Sequence, residues 1–258
     1  MRISRMLFIV LVATCVSCGN HGYVPNGTYK LIWSEEFNGD SLSSRKWRIT
    51  QQGANFNNED QAYLKEQVRF RDGLLVLKCE KQHWDGPSGR SDIRGSVSRE
   101  YISGEINTRE SWKFARIEVR AKVPPRNKGI LSAFWMTPAD RSWPPEIDIA
   151  EILGSHVDTA VFTNHWGTPE NRTFNASSYR NDDLSTAFHI YSVEWDETEI
   201  RWYLDGVQRA KSTKGVPAIP MIVRISLPVG PDWEGNPDAT SVFPQELLVD
   251  WVRVYSRS

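Results

Sequence analysis

From Tyr29 onward the chain is organised by apolar and polar positions that alternate with a period of two. Arg116-Ile-Glu-Val-Arg-Ala-Lys122 is the clearest stretch, with one side set suited to a core and the other to water, as in a half-buried strand. Similar runs predict strands at Leu31–Trp33, Leu74–Glu80, Ser103–Thr108, Phe114–Lys122, Ala133–Met136 and Glu146–Ile152. Others follow at Ala160–His165, His189–Trp195, Glu199–Leu204, Met221–Leu227 and Leu247–Tyr255. Asp72-Gly73 and Asp205-Gly206 each stand between two such runs and carry the residue pair that closes a tight hairpin. No long amphipathic helical stretch interrupts the series, which excludes a doubly wound α/β fold. Short, evenly spaced antiparallel strands imply an all-β sandwich or jelly roll.

The first residues do not follow this pattern. Arg2 and Arg5 precede an apolar run, Met6–Val16, too short to span a bilayer. The run ends in Cys15-Val16-Ser17-Cys18, which resembles a bacterial lipoprotein cleavage site, although Cys15 stands where Leu is usual. The expected organisation is therefore a signal peptide over 1–18 with lipidation at Cys18, a polar tether over 19–28, and one domain over 29–258. An ordinary signal peptide cut nearby is the rival. Either implies export, and lipidation implies a membrane-anchored protein facing the periplasm or the cell surface. With Cys18 lipidated and Cys15 removed, Cys79 has no intramolecular partner and reads as a buried apolar residue.

Composition adds two points. The 31 basic and 32 acidic residues give a net charge of −1 with no basic run, so a nucleic-acid surface is not indicated. The 11 Trp, 8 Tyr and 10 Phe exceed the needs of an ordinary surface. Most should fill the core, while a minority would offer flat faces to sugar rings.

The most informative segment is Trp143-Pro-Pro-Glu146-Ile-Asp148-Ile-Ala-Glu151. In a regular strand Glu146 and Asp148 share a face, whereas Glu151 falls on the other. One extra residue, a β-bulge near Ile149–Ala150, would return Glu151 to the carboxylate side. A merely solvated strand face would mix in Lys or Thr, yet Arg141 is the only cation between Met136 and Glu151. Retaining glycosidases hold two carboxyl groups about 5–5.5 Å apart, one as nucleophile and one as acid and then base. The α-carbons here would lie roughly 13 Å apart along an extended strand, a gap two Glu arms can largely close on a curved sheet. On this reading Glu146 is the nucleophile and Glu151 the acid/base. Asp148 lies between them and helps set which one keeps its proton.

Glu-Ile-Asp-Ile-Ala-Glu resembles the signature of glycoside hydrolase family 16 in its bulged, laminarinase-like form. An ordered set of further segments carries the resemblance along nearly the whole domain: Leu31–Gly39, Tyr101–Thr108, Ala133–Met136, Glu199–Gly206 and Phe243–Tyr255. The resemblance implies a β-jelly roll of two antiparallel sheets, a concave substrate cleft, and endo-hydrolysis with retention. It also implies sugar-binding roles for Trp135, Trp143, His165, Asn58 with its neighbour Asn57, Glu59 and Trp233. No catalytic cofactor is implied. A structural Ca²⁺ is, with Asp250, the Gly73 carbonyl and Glu36 as its ligands. A monomer acting on a polysaccharide is expected.

Three departures bear on the substrate. Leu131-Ser132 replaces the usual Trp-Pro, Pro145 replaces Gly before Glu146, and Ser226 stands where Asn is usual. β-1,3- or mixed β-1,3/1,4-glucan is the expected substrate. Galactose-based chains such as poly-lactosamine, mucin O-glycans, keratan, agar or porphyran are the alternative, because an altered subsite wall is how such a change would be made. A non-catalytic carbohydrate-binding lipoprotein would have lost the carboxylates that are intact here. A transglycosylase would typically show the unbulged spacing.

Overall fold

The computed structural model describes residues 29–258, so the signal-peptide, Cys18 and tether expectations lie outside the described residues. Seventeen strands form two sheets. In chain order they are β1 (Tyr29–Glu35), β2 (Trp47–Ile49), β3 (Gln61–Tyr63), β4 (Val68–Arg71), β5 (Leu74–Pro87) and β6 (Ser96–Ser103). Then come β7 (Glu105–Thr108), β8 (Ala115–Lys122), β9 (Leu131–Pro138), β10 (Glu146–Leu153), β11 (Thr159–Gly167) and β12 (Arg172–Arg180). The last five are β13 (His189–Trp195), β14 (Ile200–Leu204), β15 (Val207–Ser212), β16 (Met221–Ser226) and β17 (Gln245–Arg257). One sheet has ten strands along the path β15-β14-β13-β8-β17-β5-β6-β3, with β1 on β17 and β4 on β5. The other has seven, β12-β11-β10-β9-β16-β7-β2, and holds the carboxylate strand β10 in its interior, beside the central β9.

The alternation expected of the sequence is what packs these layers. Ile117, Val119 and Ala121 of β8 are fully buried against Ile147, Ile149 and Ile152 of β10, in one continuous core between the sheets. Both Asp-Gly pairs close hairpins with positive φ at both residues, 54° and 75° at Asp72-Gly73 and 51° and 76° at Asp205-Gly206. Cys79 is buried in that core, where desolvation pushes its thiol pKa up and keeps it inert.

Two details depart from the sequence reading. Ser103–Thr108 is not one strand, because the chain changes sheets at Gly104. A Cβ there would meet the Gln67 carbonyl oxygen at 2.7 Å, so only glycine lets the backbone pass this corner. Pairing is also not antiparallel throughout, since β3 runs parallel to β6. This jelly-roll sandwich leaves the outer face of the seven-stranded sheet open as the cleft.

Candidate active site

The bulge lies where the carboxylate spacing requires it. Against β11, Asp148 faces Thr163 and Glu151 faces Val161, so three steps on β10 match two on its partner. Against β9, Asp148 faces Trp135 and Ala150 faces Phe134, again one residue in excess. Ile149 and Ala150 both turn into the core as a result, and Glu151 rejoins Glu146 and Asp148 on the open face. The Asp148 backbone carbonyl is held from across the sandwich, accepting a hydrogen bond of 2.8 Å from the buried Trp202 indole N–H.

Each carboxylate has a different environment. Glu146 accepts a hydrogen bond from Trp143 Nε1 at 3.1 Å and lies 3.6 Å from His165 Nε2. Asp148, almost fully buried, lies 3.4 Å from the same nitrogen. Burial raises the pKa of all three acids. For Glu146 the Asp148 charge adds to that rise, while the Trp143 hydrogen bond and the Arg224 charge oppose it. For Asp148 the opposing influence is His165. For Glu151 every influence points upward: burial first, then the charges of Asp148, Glu146 and Glu59. Two influences therefore favour the ionised form of Glu146, and none does so for Glu151.

A polar wall stands beside this centre. Glu59 accepts hydrogen bonds from Gln61 Nε2 at 2.8 Å and Tyr63 Oη at 3.4 Å, and burial pushes it up to about 7 against those bonds. Gln61 also accepts from the Val229 N–H at 2.8 Å, which fixes the loop behind it. Asn57 and Asn58, both at positive φ, bring that loop to the one bearing Trp233. Asn58 donates to Asp232 at 2.7 Å, and the Asp232 N–H bonds the Asn57 carbonyl at 3.1 Å. Trp233 is about half exposed on this rim, next to Glu234, whose carboxylate anchors the loop on the Gly129 and Ser155 N–H groups.

Trp135 is placed differently from a bare sugar platform. Its indole N–H donates to Ser226 Oγ at 3.1 Å, and the Arg224 guanidinium lies over its ring at 4.0 Å. Arg224 is held in turn by Glu105 at 2.5 Å, and Glu105 accepts from Thr50 Oγ1 at 2.7 Å. Sequence reasoning missed Glu105 and Arg224. Arg224 is a lone charge in the otherwise apolar run Met221–Ile225, which was an available signal, whereas Glu105 in the short polar strand β7 gave none.

Glu146, Asp148 and His165 each offer one ligand atom within 4.8 Å of the others, and could together hold a cation. The same spacing serves a histidine bridging two carboxylates, Glu146 and Asp148. The two carboxylates expected to bind calcium are each paired with an arginine. Glu36 forks onto Arg253 at 2.8 and 3.0 Å, and Asp250 pairs with Arg120. A Ca²⁺ ion takes six to eight oxygen ligands. Two carboxylates already matched to arginines, with the Gly73 carbonyl in a hairpin, do not fit that requirement as placed.

A jelly roll with a paired-carboxylate cleft defines the class as glycoside hydrolase. Residues 54–253 match the family model described as glycosyl hydrolases family 16, and the chain belongs to that family. Its relatives include a β-glucanase of Rhodothermus marinus, 29% identical over 99% of this chain and 94% of that protein. Two other curated relatives are much longer, and the chain spans 34% and 37% of their lengths. Among solved structures, the endo-β-1,3-glucanase of Pyrococcus furiosus superposes with a TM-score of 0.80 at 28% identity, over 90% of this chain and 97% of that one. An endo-acting O-glycanase expressed by the human gut microbiota to initiate mucin breakdown also gives 0.80, at 27% identity over 90% and 92%.

Proposed function

We propose that the protein is an endo-acting, retaining β-glucanase that hydrolyses β-1,3- or mixed β-1,3/1,4-glucan. The observation that carries the catalytic part is the bulge, which sets Glu146 and Glu151 on one open face, where the Trp143 hydrogen bond and the Arg224 charge favour the ionised form of Glu146 alone. In the first step ionised Glu146 attacks the anomeric carbon, and protonated Glu151 gives its proton to the departing glycosidic oxygen. The glycosyl–enzyme ester forms as the glycosidic bond breaks. In the second step Glu151, now ionised, takes a proton from water as that water attacks the same carbon, and Glu146 is released. Asp148 and His165 hold the charge balance between the two. Asn58, Glu59 and Trp233 face the sugar on one side, with Trp143 and His165 at the other. The glucan assignment is supported by the relatives named above, which include a β-glucanase and an endo-β-1,3-glucanase.

The test is a panel of laminarin, barley mixed-linkage glucan, agarose, porphyran, keratan sulfate and mucin O-glycans. It is run with the wild type and Glu146→Gln, with products read by mass spectrometry. Oligosaccharides from the first two polymers alone are expected, and none from the variant. Products only from galactose-containing chains would replace the glucan assignment and leave the chemistry standing. Full activity of Glu146→Gln would remove the mechanism.

The domain over 29–258 is read here as a monomer, carried to a membrane surface by export and lipidation at Cys18. The Arg2/Arg5 region, the short apolar run and the Ser17-Cys18 junction support that reading. Wild-type protein should incorporate labelled palmitate and fractionate with membranes, and Cys18→Ala should do neither. Light scattering checks the monomer.

A further inference from the structure

Strand β12, the outermost of the seven-stranded sheet, was not recognisable in the sequence, and Phe174 is the one large apolar residue on its cleft face, between Arg172 and Arg180 at the two ends. Ala176 and Ser178 are exposed there, and so is Phe174, at 62%. Phe174 pairs with His165 on β11, and His165 pairs with Glu146 on β10. Directly opposed residues of an antiparallel ladder project to the same face. Glu146, His165 and Phe174 therefore form one row across the open face. The rings are continuous, with centroids 6.3 Å apart from Trp143 to His165 and 5.8 Å from His165 to Phe174.

A single exposed apolar side chain needs no explanation. Phe174 differs because it extends a row that begins at a catalytic carboxylate, on an edge strand that would otherwise favour polar or charged residues. Its distance is also informative. Two strand spacings place it about 10 Å from β10, the reach of two hexose rings along a chain crossing the sheet. The two sides of β10 differ in chemistry. The Asn57–Glu59 side offers hydrogen bonds that grip the sugar under attack. The Phe174 side offers ring faces, with the Arg172 guanidinium 5.7 Å from the Trp143 ring, and such faces hold a departing chain with few bonds to break.

We propose that Phe174 is the platform of a second aglycone-side subsite, stacking on the apolar face of a neutral hexopyranose two units beyond the bond cleaved. The assignment rests on the glycosidase reading of the same cleft. It extends the binding surface to an element outside the catalytic strand and its immediate neighbours.

The experiment compares wild type with Phe174→Ala and Phe174→Trp on an end-labelled hexasaccharide of whichever polymer the wild type cuts. A short aryl glycoside, whose aglycone is one ring, serves as the control substrate. Phe174→Ala is expected to lower kcat/KM on the hexasaccharide by roughly five- to tenfold, the scale of a lost aromatic contact, through KM rather than kcat. It should also redistribute the bonds cut, while Phe174→Trp restores the pattern and the aryl glycoside is cut at the wild-type rate by all three. An unchanged cleavage pattern in Phe174→Ala overturns the subsite, and so does an equal loss on the aryl glycoside. A wild type that cuts only galactose-based chains overturns the glucan assignment instead, and the Phe174 comparison is then read on that polymer.

Discussion

The bulge depends on a hydrogen bond from the opposite sheet, and Trp202→Phe tests how much. Trp202 is 1% exposed, and its indole N–H is the partner given to the Asp148 carbonyl at 2.8 Å. Phenylalanine keeps an aromatic ring in the core but leaves that carbonyl buried without this donor, at a cost of about 1–3 kcal/mol. The smaller ring adds a cavity contribution of about 1–2 kcal/mol. A second tryptophan separates the two effects. Trp195 on the adjacent strand is equally buried at 2% exposure, yet its N–H meets no acceptor among the described residues. Trp195→Phe therefore suffers the volume loss alone. In a domain of this size 1 kcal/mol corresponds to about 2–4 °C in Tm. Trp202→Phe should thus melt at least about 2 °C below Trp195→Phe, and up to about 12 °C below it. Activity gives the sharper readout. If the bulge relaxes, Glu151 shifts relative to Glu146, and a misplacement of about 1 Å costs on the order of a hundredfold. The loss should appear in kcat with KM nearly unchanged, measured by reducing-end release at a temperature where both variants are folded. Equal Tm values and equal kcat in the two variants would refute the role of Trp202.

Three further outcomes follow from the same geometry. The charge of Asp148 raises both glutamates, so Asp148→Asn lowers both pKa values. Both limbs of the pH–rate profile should then move to lower pH, with a loss of about tenfold to a hundredfold at neutral pH as Glu151 gives up its proton too early. An unmoved basic limb would contradict this. The folded-state pKa of Glu151 lies above its unfolded value, so its stabilising contribution is complete below the unfolded pKa and is lost as pH rises through the folded one. Inactive Glu151→Gln should therefore match the wild type in Tm near pH 4 and exceed it near pH 8, whereas a constant offset would count against a buried charge as the cause. In the ten-stranded sheet, Arg116 is 1% exposed and bridges Glu118 and Glu194, each at 2.6 Å. Arg116→Met leaves the buried Glu118 carboxylate without its guanidinium, while Glu194 keeps Arg201 at 3.2 Å, and should cost about 3–5 kcal/mol in urea denaturation, with the specific activity of the folded fraction retained. A cost under about 1 kcal/mol would show that water reaches that network.

The site was legible to different depths. Glu146, Asp148 and Glu151 could be identified because three acids inside an apolar strand are costly, and the count of residues between them demanded a bulge. Glu59, Asn58 and Trp233 were named from a family likeness, and loop hydrogen bonds gather them on one rim. Trp135 shows the limit of such inference. Its position was readable, but the guanidinium lying over it depends on Arg224 being opposite it on β16. The same holds for Glu36 and Asp250, whose arginine partners are 217 and 130 residues away along the chain.

By itself the sequence determined the elements whose pattern is local: alternating strands such as β8, the two Asp-Gly hairpins, and the carboxylate spacing of β10. These follow from side-chain alternation and turn chemistry, which act over a few residues. Strands β2, β3, β4, β6, β12 and β15 went unrecognised, being short or polar, and they exist because a neighbour supplies their hydrogen bonds. Only the tertiary structure decided the break at Gly104, the parallel pairing of β3 with β6, and the row from Glu146 to Phe174. Each depends on which strand lies beside which, and that is settled by burial of the whole core rather than by any local run of residues.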